Sequence, residues 1–309
     1  RFRDMQDERV YPDLITYVSI LKACGIMRSL EIGERIAAEV RRQGFLKKHV
    51  VLGNVLVDMY SKCGALGKAR EIFDQLPMLD VVSFTSLIGG YVQHHLGNEA
   101  LECFKQMQYD GILPDSITFL CMLKACGNLG AIETGECLHM NIVEEGLLLD
   151  RDLDIGNALL NMYARCGYLS EMQALFDQLL SRDIVSWNAL IAGYAQRGQD
   201  HEALDCFKQM QNEKLSPDVV TLLCVLYACN HSGLVEEGQT YFMNMSKKYC
   251  IQPVIEHQTC LVDLFGRAGY FDEAMSIMKD MPTFDYPIWV ALLGACQKWG
   301  NVKLARLAF

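Results

Sequence analysis

No stretch of this chain is apolar for long enough to cross a bilayer. The longest unbroken run, "LLCVLYAC" at 222–229, has eight residues, against the ~20 that a spanning helix needs, so a membrane partner is not expected. There is also no Cys-x-x-Cys pair, no His-x-Glu triplet, and no histidine among the seven at ligand spacing from a second metal ligand. The usual signatures of a zinc site are therefore missing. With no Gly-rich phosphate loop and no nucleophile motif, a self-contained enzyme is not expected, and neither is a cofactor. Period-two alternation, the mark of half-buried strands, is absent as well. Positive charge is scarce: 28 Lys and Arg face 38 Asp and Glu, for a net charge of -10. That balance argues against general polyanion affinity unless cations cluster locally.

Cysteine, by contrast, is plentiful at thirteen residues. Ten of them recur at equivalent places: Cys24, Cys126, Cys229 and Cys296; Cys63 and Cys166; Cys103 and Cys206; Cys121 and Cys224. Cys137, Cys250 and Cys260 stand outside this pattern. Without paired ligand spacing, the recurring set reads as reduced, buried thiols behaving as small apolar side chains.

The recurrence has a larger cause. "EALECFKQMQ" at 99–108 returns as "EALDCFKQMQ" at 202–211, with an echo in "FRDMQ" at 2–6. Phe2, Phe104 and Phe207 are each followed eleven positions later by Asp13, Asp115 or Asp218. Each long block holds three related units of unequal length. The windows are 14–49, 50–80, 81–115, 116–152, 153–183, 184–218, 219–254 and 255–285, after a tail at 1–13 and before a partial unit at 286–309. Seven of the nine units carry Gly at position 15 (Gly64, Gly130, Gly167, Gly198, Gly233, Gly269 and Gly300), and Arg28 and His95 replace it in the others. Glycine between two periodic stretches suits a tight helix-to-helix turn. In 50–80, Ala69, Ile72, Phe73 and Leu76 form one apolar stripe before Pro77 stops the helix. Such a hairpin cannot bury its own apolar face, so neighbours must stack, and the fold expected is an all-α solenoid.

These phrases carry a family resemblance. "VSWNALIAGYAQRGQDHEALDCFKQMQNEKLSPD" (185–218), "NVLVDMYSKCGALGKAREIFDQLP" (54–77), "NALLNMYARCG" (157–167) and "LKACGNLGAIETGECLH" (123–139) resemble pentatricopeptide repeats. The alternation of 36 or 37, 31 and 35 residues is similar to the plant PLS subclass, and "IWVALLGACQKWGNVKLA" (288–305) resembles the start of its extension (E) motif. The resemblance implies a right-handed superhelix of helix-turn-helix repeats that binds single-stranded RNA, one nucleotide per repeat, in a mitochondrion or chloroplast. It further implies site recognition in cytidine-to-uridine editing of an organellar transcript. The catalytic signature of the zinc deaminases is absent from this chain, so a deaminase-bearing protein acting in trans, or a further catalytic segment, is expected. An RNA stability, splicing or translation factor is the alternative reading, and a protein-binding scaffold a weaker one.

Base reading needs a polar side chain at a fixed place in each first helix with a second beside it. Position 5 supplies Asn54, Thr85, Asn157, Asn188 and Thr259, and the last position supplies Asp80, Asp115, Asp183, Asp218 and Asp285. Each Asp also suits a helix N-cap, and both roles can coexist. The family's pairing implies pyrimidine for Asn with Asp and guanosine for Thr with Asp. Val18, Leu120 and Leu223 leave the long units without a reader. At position 2 the resemblance implies that Val51, Val82, Ile117, Val185 and Val220 pack on base faces, the alternative being ordinary core packing, while Asp154 and Glu256 break the pattern. Position 13 of the short units is basic in Lys62, Arg165 and Arg267, suited to phosphate or to the helix dipole. Most carboxylates fall on second helices, which leaves a neutral or weakly basic groove and a shallow salt dependence.

Overall fold

The computed structural model describes residues 12–47, 49–148, 153–279 and 286–308. Among these residues there are eighteen α-helices, one 3₁₀ turn (Phe45–Lys47) and no strand. The chain divides into two compact units, Arg1–Leu147 and Leu148–Phe309. The first holds α1 (Leu14–Ile26), α2 (Leu30–Arg42), α3 (Val50–Lys62), α4 (Leu66–Asp74), α5 (Val81–Gln93), α6 (Gly97–Tyr109), α7 (Ser116–Leu129) and α8 (Ile132–Glu144). The second holds α9 (Leu153–Cys166), α10 (Leu169–Gln178), α11 (Ile184–Gln196), α12 (Asp200–Asn212), α13 (Val219–Ser232), α14 (Val235–Lys247), α15 (Ile255–Ala268), α16 (Phe271–Lys279), α17 (Tyr286–Trp299) and α18 (Val302–Ala308).

Odd-numbered helices pack on one another in sequence within each unit, α1–α3–α5–α7 and α9–α11–α13–α15–α17, and even-numbered helices pack against them. The turn between the two helices of each hairpin is left-handed at the place where the repeats carry glycine. Gly64, Gly130, Gly167, Gly198, Gly233, Gly269 and Gly300 all have φ between 67 and 86°. Arg28 and His95, the two residues that replace glycine, are forced into the same region at φ 50 and 61°. The turn geometry is thus set by the stacking, and the side chain must comply.

The core repeats as the sequence does. Phe73 and Phe84 meet edge to face at 4.9 Å, and their counterparts Phe176 and Trp187 meet at 4.7 Å. All four are buried, each contributing about 2–3 kcal/mol by removal from water. Ala69, Ile72 and Phe73 of the apolar stripe are fully buried, and Leu76 reaches back to Gly53, where a Cβ would run into Leu76 Cδ2. Gly156 receives Leu179 in the same way, at 2.9 Å. A side chain at the fourth position of these two short units would displace that leucine; the third short unit carries Gln258 there.

All thirteen cysteines are free thiols, and the described residues contain no cluster of three or more metal-ligating side chains. Cys103 and Cys206 are buried, and burial pushes both thiols up to about 12. Cys121 and Cys224 depart from the expectation of full burial by being half-buried, and so do Cys63 and Cys166. Cys63 and Cys166 sit at the C-terminal ends of α3 and α9, where the turn opens to solvent, and each Sγ lies 3.9 Å from a methionine sulfur one turn back. Carboxylates of the even-numbered helices such as Glu71, Glu99, Glu202 and Glu236 are exposed.

Candidate functional site

Five aspartates precede odd-numbered helices and cap them. Asp13, Asp80, Asp115, Asp183 and Asp218 adopt extended backbone, and each carboxylate accepts the backbone N–H three residues on, at 2.8–2.9 Å. This satisfies one of the orphan donors of a helix start. Asp285 lies outside the described residues.

Four of these caps also hold the residue that stands at position 5 of the preceding hairpin. Asn54 Nδ2 donates to Asp80 Oδ1 at 3.0 Å and Oδ2 at 3.2 Å. Asn157 Nδ2 donates to Asp183 Oδ1 at 3.2 Å. Asn188 Nδ2 donates to Asp218 Oδ1 at 3.1 Å and Oδ2 at 3.2 Å. Thr85 reaches Asp115 through one intermediary: its Oγ1 is 2.7 Å from Thr118 Oγ1, which donates to Asp115 Oδ1 at 2.7 Å. The residue pairs picked from sequence are thereby brought together across 26 to 30 residues of chain. Thr259 donates to the Ile255 carbonyl of its own helix at 2.8 Å. Burial alone would raise the Asp80 carboxyl. The N–H and hydroxyl of Ser83 and the Asn54 amide more than offset it and hold the group below its ordinary value. Asp183 is lowered in the same way by Ser186 and Asn157. Both are therefore charged acceptors at neutral pH.

Exposure separates the couples. Asn54 and Asn157 are only 5% and 6% exposed, whereas Thr85 and Asn188 are half-buried and open to a ligand. The aliphatics at position 2 are not core residues: Val51 is 61% exposed, Val82 51%, Ile117 59%, Val185 46% and Val220 51%. In the first unit Val82 and Ile117 line a cleft of about 350 Å³ together with Thr85, Asp115 and Lys62. Two apolar side chains, an acceptor pair and a cation thus share one concavity. Val18, Leu120 and Leu223 are half-buried and offer no polar group there.

The three basic residues at position 13 differ in their surroundings. Lys62 Nζ pairs with Asp58 Oδ2 at 2.7 Å, and Arg267 Nη1 stands 3.9 Å from Asp263 Oδ2. Arg165 is exposed on α9, where Asn161 takes the place of those aspartates. A recurrent contact at this end had no signal in the charge pattern. His94 Nε2 bonds the Ser61 carbonyl at 2.9 Å, Arg197 Nη2 donates to the Arg165 carbonyl at 2.6 Å, and Trp299 Nε1 donates to the Arg267 carbonyl at 3.2 Å. In each case the next hairpin satisfies a helix C-terminus. The partners are about 32 residues apart and of three residue types, so no local motif announces them.

Three descriptions of one repeat family match the chain: "PPR repeat family" at 79–128 and 182–231, "PPR repeat" at 54–81, 157–184 and 259–286, and "Pentatricopeptide repeat domain" at 2–62. Among curated relatives, the chain is 40% identical over 306 residues to the Arabidopsis thaliana pentatricopeptide repeat-containing protein CRR2, chloroplastic, covering 97% of this chain and 46% of that protein. It is 36% identical over 305 residues to the mitochondrial Arabidopsis protein At2g03880, covering 98% and 47%. The chain thus spans about half the length of these relatives. The crystal structure of the pentatricopeptide repeat protein PPR10 in complex with an 18-nt psaJ RNA element matches with a TM-score of 0.81 at 16% identity, covering 99% of this chain and 46% of that one. The structure of PPR10 from maize matches with a TM-score of 0.55 at 15% identity, covering 99% and 54%.

Proposed function

Because the chain belongs to the pentatricopeptide repeat family, we propose that it recognises single-stranded RNA, reading one base at each Asn–Asp or Thr–Asp couple. The observation that carries this is the cleft in which Val82, Ile117, Thr85 and Asp115 converge. An unstacked base has two apolar faces and a polar edge, and this concavity offers aliphatic surface beside a polar pair. The hydrogen-bond accounting supports a choice between bases. The single proton of Thr85 is spent inside the protein, toward Thr118 or toward the Val81 carbonyl 2.7 Å away, so toward a ligand in the cleft its oxygen can only accept. An acceptor there suits the N1–H and N2–H₂ donors of guanine. At Asn188 the amide nitrogen is shared with both carboxylate oxygens of Asp218 at 3.1 and 3.2 Å, so what it can offer a ligand beside it is a donor. That donor suits a pyrimidine carbonyl.

The alternating unit lengths and the 288–305 segment support assignment to the PLS subclass with an E motif. On that basis the chain is the site-recognition part of an organellar cytidine-to-uridine editing factor, working in a mitochondrion or chloroplast with deaminase chemistry supplied by a separate catalytic part. Lys62, Arg165 and Arg267 would contribute phosphate contacts in competition with the groups they already meet within the protein.

The reading is tested with Thr85→Asn. Affinity is measured for pairs of RNA oligonucleotides that differ only at the nucleotide facing the 81–115 repeat. Preference should move from guanosine toward pyrimidine, with discrimination of roughly 1–3 kcal/mol by analogy with single base contacts elsewhere. Unchanged preference with folding and affinity intact would show that position 5 does not read RNA.

A further inference from the structure

A fully buried hydroxyl lies beside the capping aspartate in each of the four couples: Ser83, Thr118, Ser186 and Thr221. It spends its proton differently in different places. Thr221 Oγ1 lies 2.6 Å from Asn188 Oδ1 and 2.9 Å from Asp218 Oδ1. Ser186 Oγ lies 2.6 Å from Asn157 Oδ1 and 3.0 Å from Asp183 Oδ1. Ser83 Oγ donates to Asp80 Oδ1 at 2.8 Å, and the buried Asn54 Oδ1 has no hydrogen-bond partner. A carboxylate only accepts, so each asparagine must present its NH₂ to the aspartate, and at Asn188 and Asn157 the amide oxygen then meets the hydroxyl. The hydroxyl is thereby committed to donate to the amide at Asn188 and Asn157.

We propose that Thr221 and Ser186 are positioning residues for base choice: by donating to the asparagine oxygen they leave the amide only an N–H with which to meet RNA. The inference rests on the reading of Asn188 and Asn157 as base-facing residues. A donor-only amide satisfies a uracil carbonyl but cannot answer the N1–H and N2–H₂ of guanine, which would then be desolvated without partners. Removing the hydroxyl frees Oδ1 to turn toward those donors. The residue that carries the hydroxyl belongs to the hairpin after the one it tunes, so base choice at one site depends on its neighbour's helix start. At Asn54 the oxygen is not held, and the same hydroxyl serves the cap alone.

The test uses the 309-residue chain and RNA pairs with uridine or guanosine at one nucleotide. Thr221→Val keeps the volume and removes the donor, and Thr221→Ser keeps the donor. Thr221→Val should cut the uridine-over-guanosine preference at the nucleotide facing Asn188 about tenfold, while the guanosine preference at the nucleotide facing Thr85 and the melting temperature are kept. Thr221→Ser should restore it. Ser186→Ala should act likewise at the nucleotide facing Asn157, an independent trial should Thr221→Val not fold, and Ser83→Ala should leave the nucleotide facing Asn54 unaffected. Retained preference in Thr221→Val or Ser186→Ala would overturn the inference and leave the proposed function standing. A loss in Ser83→Ala as large as in the others, or an equal loss at every nucleotide, would also overturn it, by showing that the hydroxyl acts through the cap or the fold. A wild-type chain with no base preference at any of these nucleotides would overturn the functional reading itself.

Discussion

Val82 has half its surface in water on a helix whose Phe84, Leu87, Ile88, Tyr91 and Val92 are buried, so it is the apolar side chain there that a ligand can cover. Val82 is 51% exposed while its neighbour two residues on, Phe84, is fully buried. Val82→Ala should change unfolding free energy by less than about 0.5 kcal/mol, yet weaken RNA binding threefold to tenfold, on the order of 1 kcal/mol of lost apolar contact. Denaturant melts and a binding titration on the same variant separate the two; a loss of stability without a loss of affinity would return Val82 to the core. The strain at His95 gives the opposite kind of test. Its φ of 61° and exposed side chain mean that His95→Gly removes backbone strain and disturbs no packing. The greater unfolded-state entropy of glycine offsets part of the gain, leaving roughly 0.5–1 kcal/mol of net stabilisation. A destabilised His95→Gly would show that the ring makes a contact worth more than the strain.

Among the elements, helix type and turn position were legible in the sequence because period and glycine act locally. Ala69, Ile72 and Phe73 announce a buried face within one helix, and Gly64 announces its turn. What was not legible depends on residues 26 to 38 positions apart. Ser186 reads as an ordinary capping residue for α11, and nothing near it says that its hydroxyl reaches Asn157. The half-exposure of Cys63 and Cys166 was likewise hidden, because repetition reports equivalence and not depth. His257 is a third case. It is fully buried at the start of α15, its Nδ1 accepting the Val254 N–H at 3.3 Å and its Nε2 bonding the Val219 carbonyl at 2.9 Å. Burial holds its pKa below the ordinary 6.5, so the neutral ring is the folded form. The unfolded chain then binds a proton near pH 6.5 that the folded chain refuses, and stability falls as pH drops below that value. Chemical denaturation at pH 7.5 and 5.5 should show a larger loss in wild type than in His257→Gln; equal losses would mean that the ring is not held neutral.

At the scale of the whole molecule, the proposed function is an ordered series of readers along one chain. Units starting at 50, 81, 116, 153, 184, 219 and 255 carry Asn54, Thr85, Leu120, Asn157, Asn188, Leu223 and Thr259 at position 5. The long units, with leucine there, should tolerate any base. If the repeats run 5′ to 3′ from the N-terminus, the series reads pyrimidine, guanosine, any, pyrimidine, pyrimidine, any, guanosine. The last member is carried by sequence alone, since Asp285 lies outside the described residues, and in an editing factor the target cytidine would follow a few nucleotides 3′. Affinity selection of the chain from a randomised pool of single-stranded RNA, followed by sequencing, tests the series directly. The account predicts enrichment of that seven-nucleotide pattern, strongest at the nucleotides facing the more open Thr85 and Asn188. Recovery of RNA with no positional base preference, or with guanosine and pyrimidine exchanged between the nucleotides facing Thr85 and Asn188, would contradict it.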